Sequence, residues 1–349
     1  MKNYILFIAL STCVYKSQSQ NLGDLVLASD DASLLAQNYL NPIVQSVMSD
    51  MNAGWYNTAK IHEKFGFDLS FSLNVGIVPD AGKMFTFNPS DYSYLTTQNG
   101  ETQLETVFGE NGVATTINVR VPYGSSNYKL GQFDLPGGYG EDLPLTGAPL
   151  PMVQAGVGLP ILNSDFKLRY LPKQTFDNDK SISLIGFGLQ HEITQYLLPL
   201  DMSLPLHVSV FSGYTSVNSQ YVFSSTAGSN VQVTNGEAAF RLNAFTAQVI
   251  GSLDFKVLSF YGAIGYNSAK TSVNLNGDYS LNYIITNSDD IIIDTIQEQI
   301  TDPIALEFVQ SGLRGTLGTK LNIGFFNIFA DYTIQEHNTL TAGFAFSFK

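Results

Sequence analysis

Apolar and polar residues alternate without interruption from residue 65 to residue 77. Every odd position in this stretch holds Phe, Leu, Val or Ile, and every even position holds Gly, Asp, Ser or Asn. Because successive side chains of a strand point to opposite faces, the stretch predicts one long strand with a wholly apolar face. Strands of soluble proteins average about five or six residues, whereas a tilted strand that crosses a membrane needs about nine to eleven. The length therefore favours a membrane-spanning strand.

The same alternation returns near the C-terminus, over residues 313–323, 328–334 and 340–348. Residues 336–338 lie between the last two stretches and predict a tight turn. Stretches of this kind in succession predict neighbouring antiparallel strands. Between the two ends of the chain, the further candidate strands are 112–121, 150–160, 164–172, 181–197, 203–224, 239–256 and 257–284.

Residues 24–53 follow a helical period instead. Apolar residues recur at intervals of four from Ile43 to Met51. We expect Ser29–Asp31 to cap the start of a first short helix, and Asn41–Pro42 to begin a second one with Asn as its N-cap and Pro in its first turn. Gly54 is expected to end the second helix. The segment thus predicts a pair of short helices, or a helical hairpin, ahead of the strands.

The first twenty residues have the three parts of a secretory signal peptide. Lys2 precedes an apolar stretch at residues 4–10, and residues 16–20 are polar. Cleavage near residue 20 would remove Cys13, the single cysteine, and would change the net charge from −13 to −15. No later stretch has the run of about 18 apolar residues that a helical membrane span needs. A soluble exported protein and a transmembrane β-barrel remain as alternatives.

The composition separates these two alternatives. Charged residues make up 13% of the chain and aromatic residues 12%, and the mean hydropathy is +0.05. Average soluble proteins have roughly 25% charged residues. A membrane barrel has an outer face that meets lipid and an inner face that can be polar, which explains both the few charges and the near-zero hydropathy. A β-sandwich is a further alternative, but it needs shorter strands and a charged outer face.

We therefore predict an all-β fold, an antiparallel transmembrane β-barrel of about 14 strands, within a range of about 12 to 16, with a short N-terminal helical plug segment. The expected boundaries are 1–20 for the signal peptide, 21–64 for the plug segment and 65–349 for the barrel. The stretches without alternation, which predict long loops, are 79–111, 122–149, 225–238 and 285–303.

Motifs for catalysis or metal binding are absent from the sequence. The four histidines form neither H-E-x-x-H nor a pair with a cysteine, and G-x-S-x-G does not occur. We predict no catalytic residue, no metal and no cofactor, and a protein that is not an enzyme. The acidic net charge argues against a nucleic-acid partner.

Several basic residues fall in the predicted strands. They are Arg120, Arg169, Arg241, Arg314 and Lys320. We predict that Arg314 and Lys320 face the lumen of the barrel, as does Asp68. There the basic groups either bind the anionic head group of a ligand or pair with lumen acids such as Asp68 and Asp331.

Three segments resemble an uncharacterised family of predicted bacterial outer-membrane β-barrel proteins: Gly186–Tyr196, Tyr39–Pro42 and Met51–Tyr56. The layout, in which a helical segment with Asn41–Pro42 precedes a barrel, is also similar to the long-chain fatty acid transporters. That second resemblance implies a plug inside the barrel and the uptake of hydrophobic compounds. Ile43 stands where those transporters usually have Ala.

The leading hypothesis is an outer-membrane barrel for the passive uptake of a hydrophobic or amphipathic small molecule, with Asn41 and Pro42 in its plug segment. The expected partners are the lipid membrane and that ligand. We expect a monomer in the bacterial outer membrane, reached through the periplasm after cleavage of the signal peptide. A second hypothesis is a structural or interaction barrel that binds a partner through its long loops. A third is a barrel enzyme that modifies lipids.

Overall fold

The computed structural model describes residues 28–123, 126–160, 163–197, 205–224, 231–286 and 292–348. The predicted signal peptide lies outside the described residues. The helices are α1 (Ser29–Met51) and α2 (Thr194–Leu197). The strands are β1 (Phe67–Ile77), β2 (Met84–Thr86), β3 (Leu95–Thr97), β4 (Gln103–Glu105), β5 (Thr115–Tyr123), β6 (Ser126–Leu135), β7 (Gly147–Gly158), β8 (Ser164–Phe176), β9 (Lys180–Glu192), β10 (Leu206–Phe223), β11 (Val231–Asp254), β12 (Leu258–Thr286), β13 (Ile292–Thr301), β14 (Ile304–Ile323), β15 (Phe326–Ile334) and β16 (Thr339–Phe348).

Ten strands of the described chain form a closed antiparallel ring. Around the ring the order is β1, β7, β8, β9, β10, β11, β12, β14, β15 and β16, and β16 pairs again with β1. The pairing of β11 with β12 closes the sheet. A closed sheet pairs its backbone groups within itself, as the interior of a membrane requires. The predicted all-β antiparallel barrel with an N-terminal helix is confirmed.

The ring has ten strands, whereas the length of the chain led us to expect about 14. One reason is that several wall strands are very long, such as β11 with 24 residues and β12 with 29. The other is that β13 and the small sheets β2–β4 and β3–β5–β6 lie outside the ring. All four predicted loops are wrong in part. Strands β2, β3 and β4 lie in 79–111, β6 lies in 122–149, and β11, β12 and β13 extend into 225–238 and 285–303.

The ring turns its apolar face outward. In β1, Phe67 and Leu73 are 50% and 43% exposed, whereas Asp68 and Asn74 are 9% and 0% exposed. In β14, Leu313 is 83% exposed. The alternation seen in the sequence therefore separates the outer face of the wall from its inner face. An outer face of this kind is suited to lipid.

α1 lies inside the ring. Every residue from Pro42 to Met51 is buried, so the second half of the helix is surrounded on all sides. Ser46 Oγ donates a hydrogen bond to the carbonyl oxygen of Gly76 in β1 (2.7 Å). The side chains of Ser49 and Gln310, the latter in β14, are also hydrogen-bonded (3.0 Å). The helix thus uses its polar residues to bind the wall.

α1 is one helix and not two. The prediction that Asn41–Pro42 begins a second helix is wrong, because the chain stays helical from Ser29 to Met51 with Pro42 inside it. Proline removes one helical hydrogen bond, and the burial of the helix inside the ring outweighs that loss. The cap expected at Ser29–Asp31 is also wrong, since the N-cap residue is Ala28 and makes no side-chain hydrogen bond.

The two ends of the ring differ. β1 ends at Ile77 and the chain returns to the wall at Gly147; we call residues 78–146 the insert, and this end of the ring the insert end. At the opposite end, which we call the short-turn end, residues 255–257 join β11 to β12 and residues 324–325 join β14 to β15. Buried apolar side chains of the insert pack on the first half of α1. α1 therefore begins at the insert end.

Asp31 ties α1 to the insert. Its buried carboxylate accepts hydrogen bonds from the backbone N–H groups of Ser93 (3.0 Å), Tyr94 (2.6 Å) and Leu95 (3.0 Å).

We expect Asp31→Ala to loosen the insert, since each buried N–H left without an acceptor costs about 1–3 kcal/mol. Limited proteolysis should then cut the insert faster. Asp30→Ala removes an exposed carboxylate from the same turn and should leave the rate unchanged; a wild-type rate for D31A would contradict this role.

Candidate functional site

The chain crosses the rest of the lumen between α1 and β1. We call residues 52–62 the lumen segment; they belong to no helix or strand. The segment starts where α1 ends, in the middle of the ring, and reaches the short-turn end before β1 begins. It is hydrogen-bonded to inward-facing side chains of the wall along its length. Together, α1 and the lumen segment run through the lumen from one end to the other.

Two buried arginines bind the carbonyl end of α1. Arg169 of β8 donates from Nη1 to the carbonyl oxygen of Met51 (3.0 Å) and from Nη2 to that of Ala53 (2.7 Å). Arg314 of β14 donates from Nη1 to the carbonyl oxygen of Asn52 (2.8 Å). The C-terminal end of a helix carries partial negative charge, which favours cations there. The wall therefore supplies positive charge where α1 stops.

Further along, the wall binds other carbonyl groups of the lumen segment. Lys167 Nζ and Gln154 Nε2 both donate to the carbonyl oxygen of Trp55, at 2.9 and 3.1 Å. Gln190 Nε2 donates to the carbonyl oxygen of Ala59 (3.1 Å). Buried backbone groups need hydrogen-bond partners. Long polar side chains at inward positions of β7, β8 and β9 supply them for a segment that has no secondary structure.

Carboxylates hold the segment at the short-turn end. Glu192 Oε2 accepts a hydrogen bond from the backbone N–H of Ile61 (3.3 Å), and Asp165 Oδ1 accepts one from that of His62 (3.0 Å). Asp165 Oδ2 also lies 2.8 Å from His62 Nδ1. Basic side chains of the wall thus bind carbonyl groups in the middle of the ring, and carboxylates of the wall bind N–H groups at the short-turn end. Most of these contacts are to backbone atoms of the lumen segment.

Among the side chains of the lumen segment, Trp55 has a slot of its own in the wall. The guanidinium carbon of Arg169 lies 3.7 Å from the centre of the indole ring, within cation–π distance. Gly186 and Gly188 of β9 and Gly213 of β10 leave the space that the ring occupies. A methyl group added at any of the three would lie 3.0–3.3 Å from a ring atom of Trp55. We call this space the Trp55 slot.

The inner face of the ring becomes apolar towards the insert end. There the inward-facing side chains pack on α1, and they include Leu150, Met152, Val217, Leu242 and Phe308. The basic and amide side chains that bind the lumen segment lie in the other half. The lumen wall therefore changes from apolar to polar along its axis.

The predicted site residues lie in the helix and on the inner wall. Asn41–Pro42 is in the middle of α1. Arg314 and Asp68 are 4% and 9% exposed, and Lys320 Nζ donates to Asn57 Oδ1 (3.3 Å). No ion pair between described residues involves these three charged groups. Arg314 and Lys320 bind the lumen segment instead, and a role in ligand binding stays a prediction.

No motif of the sequence marks the Trp55 slot or the amide side chains that bind the lumen segment. Two weaker signals point to the slot. Trp55 is the single tryptophan of the chain and directly follows Gly54. Gly186 and Gly188 occupy alternate positions of a strand, on the face opposite to the apolar one. Small residues at such positions indicate that another part of the protein comes close to the strand.

A Ser–His pair also lies near the short-turn end. Ser164 Oγ is 3.0 Å from His191 Nδ1. Adjacent residues of a strand point to opposite faces, so the carboxylates of Asp165 and Glu192 point to the inner face. There they bind His62 and His207, and not His191.

Within the described residues, no three His, Cys, Asp or Glu side chains come together as metal ligands. No helix of the described chain is long and apolar enough to cross a membrane.

These features define a class of protein: a closed antiparallel barrel of the membrane-spanning type, with an apolar outer wall and an N-terminal segment through its lumen. The chain belongs to the family of unknown function DUF6588, whose family model matches residues 1–348. No curated protein matches the sequence.

Several solved outer-membrane structures are similar at low identity. The attachment invasion locus protein Ail of Yersinia pestis is 10% identical, with a TM-score of 0.23, over 82% of this chain and 100% of its own. The outer membrane protease OmpT of Escherichia coli is 7% identical, with a TM-score of 0.32, over 83% and 100%. The toluene transporter TodX of P. putida is 9% identical, with a TM-score of 0.21, over 81% and 90%. The likeness to the long-chain fatty acid transporters stays a prediction.

Proposed function

We propose that this protein is a gated pore of the bacterial outer membrane. In the closed state, α1 and the lumen segment occupy the lumen. Displacement of the lumen segment together with α1, with which it is continuous, lets a small hydrophobic or amphipathic molecule diffuse through the ring. The short-turn end faces the periplasm, since outer-membrane barrels have short periplasmic turns and long extracellular loops.

The observation that carries the proposal is the way in which the lumen segment is held. It belongs to no strand of the ring, and side chains such as Arg169 and Gln190 bind its backbone from the wall. Water can replace these hydrogen bonds one at a time. A strand of the ring, in contrast, cannot leave without exposing unpaired backbone groups. The segment can therefore move while the wall stays closed.

The lining of the lumen supports an amphipathic solute. The half near the insert end presents apolar side chains such as Leu242 and Phe308, and the other half presents Arg169, Arg314 and Lys167. A molecule with an apolar part and a polar or anionic part finds a matching surface in each half. A purely hydrophilic solute has a matching surface only in the half near the short-turn end.

A reversible cross-link between α1 and the wall tests the proposal. Ser49 and Gln310 are in side-chain contact, so Ser49→Cys with Gln310→Cys in a Cys13→Ser background should join α1 to β14 on oxidation. In liposomes, we expect the reduced protein to admit an anilinonaphthalene sulfonate, a permanently charged amphiphile, faster than glucose. Oxidation should lower that flux to the level of empty liposomes, and reductant should restore it.

The matched control joins two wall strands. Asn327 of β15 and Ala345 of β16 lie directly opposite each other in the ladder, so the corresponding cysteine pair fixes the wall without touching α1. Oxidation of this pair should leave the flux unchanged. Equal flux before and after oxidation of the Ser49–Gln310 pair would contradict gating by the N-terminal segment. A reduced protein that admits neither solute would contradict the uptake function itself.

A further inference from the structure

The Trp55 slot binds an aromatic ring by its faces. The guanidinium group of Arg169 lies over the indole ring, and the ring of Phe211 lies beside it, with ring centres 5.6 Å apart and an angle of 45° between the planes. Among the residues that the structure describes, Trp55 Nε1 has no hydrogen-bond partner, although this side chain is 1% exposed. The slot therefore recognises a flat aromatic ring, and not the N–H group that is particular to tryptophan.

The slot belongs to the wall of the ring and not to the lumen segment. Arg169 lies on β8, Gly186 and Gly188 lie on β9, and Phe211 and Gly213 lie on β10, which are three neighbouring strands. Wall strands stay paired when the lumen segment moves. Glycine inside a strand marks a place where another group comes close to the backbone. The wall thus keeps a preformed site for an aromatic ring after Trp55 has left it.

Cations without acidic partners lie beside the slot. Arg169 and Arg314 are 0% and 4% exposed, and no ion pair within the described ranges involves either of them. Through their Nη atoms they bind the carbonyl oxygens of Met51, Asn52 and Ala53. These carbonyls leave when the N-terminal segment moves, and the donors then need new acceptors. The oxygens of a carboxylate or sulfonate group can take their place.

We propose that the Trp55 slot is a binding site for a flat aromatic anion, whose ring replaces the indole of Trp55 and whose anionic group binds Arg169 and Arg314. In the closed state Trp55 occupies the place of the solute, so the two compete. The inference rests on the proposed function, because Trp55 leaves the slot only when the lumen segment moves. It narrows the solute from amphipathic molecules in general to aromatic anions.

A variant with an empty slot tests the proposal by binding, without any flux. Trp55→Gly removes the indole and keeps the backbone carbonyl that the wall binds. We expect naphthalene sulfonate, a flat permanent anion, to bind full-length W55G in detergent micelles about tenfold more tightly than it binds the wild type. It should also raise the midpoint of thermal unfolding of W55G and not that of the wild type.

Two other solutes separate the ring from the charge. Decalin sulfonate keeps the anionic group on a saturated ring system, and N-methylquinolinium keeps the flat rings but is a cation. Each lacks one of the two features that the slot and the arginines recognise. We expect both to bind W55G about tenfold more weakly than naphthalene sulfonate does.

Further changes in the W55G background show whether the solute binds in the slot. Gly188→Val fills the space of the ring, and Arg169→Met removes the cation that lies over it. Each should reduce binding of naphthalene sulfonate to the wild-type level. Gly251→Val and Arg241→Met are the matched controls, since both residues lie away from the lumen segment, and they should leave binding unchanged.

Three results would overturn the proposal. They are equal binding of naphthalene sulfonate to W55G and to the wild type, equal binding of the three solutes to W55G, and binding that survives Gly188→Val or Arg169→Met. Binding in micelles does not depend on transport, whereas the cross-link between residues 49 and 310 tests the proposed function by flux. The slot and the gate can therefore fail separately.

Discussion

Gly188→Val is expected to drive Trp55 out of its slot and to open the lumen to an amphipathic solute. A methyl group at residue 188 would lie 3.0 Å from Trp55 Cζ3 and 3.0 Å from Phe211 Cε2. Residue 188 is part of a ladder that pairs with β8 and β10, so the backbone of the wall cannot retreat without losing hydrogen bonds. The lumen segment, which belongs to no strand, moves instead.

Trp55 itself reports the outcome. It is the only tryptophan of the chain and is 1% exposed. We expect its fluorescence in G188V to shift to longer wavelength as the ring meets water, together with a higher flux of the anilinonaphthalene sulfonate in liposomes. Gly251→Val is the matched control, because Gly251 faces outward and no atom lies within 4 Å of the added methyl position. Wild-type emission from a folded G188V barrel would show that Trp55 is not in this slot.

Arg169→Met should release the middle of the lumen segment. Arg169 is 0% exposed and donates to the carbonyl oxygens of Met51 and Ala53. Its removal takes from the Met51 carbonyl the hydrogen bond of Arg169, at about 1–3 kcal/mol, and leaves the Ala53 carbonyl with the longer hydrogen bond from Asn74 (3.4 Å). It also removes the cation–π contact with Trp55. We expect faster hydrogen exchange over residues 52–62 and a higher solute flux, with the ring still closed.

An exposed arginine provides the control for this change. In the described part of the chain, Arg241 of β11 donates from Nε to Asn218 Oδ1 of the neighbouring strand β10 (3.1 Å). Arg241→Met makes the same chemical change away from the lumen segment and should leave both exchange and flux at wild-type values. Unchanged exchange over residues 52–62 in R169M would contradict the role given to Arg169.

The wall could be predicted from local patterns. The alternation over residues 65–77 is repeated in the structure, with Phe67 outward and Asp68 inward. The same holds for Leu313 and Arg314 in β14. The period of two is a local property of a strand, and the demand for an apolar outer face applies to every wall strand alike. Sequence alone is sufficient for such a feature.

The path through the lumen could not be predicted in the same way. Trp55 packs against Gly188, which is more than a hundred residues away in the sequence. This contact depends on the register of β8, β9 and β10. Register is set by how the whole sheet closes and not by any single strand. The Asn41–Pro42 pair illustrates the same limit, because a local rule for helix starts is overridden by burial within the ring.

Cysteine labelling at the two ends of the N-terminal segment tests the central claim most directly. In a Cys13→Ser background, Asp30→Cys places a thiol at the insert end and Lys64→Cys places one at the short-turn end; both positions are exposed. A maleimide that cannot cross membranes, added to intact cells, should label residue 30 and not residue 64. After the outer membrane is permeabilised, it should label both. Labelling of both residues in intact cells, or of residue 64 alone, would contradict a segment that runs through the lumen from the insert end to the periplasm.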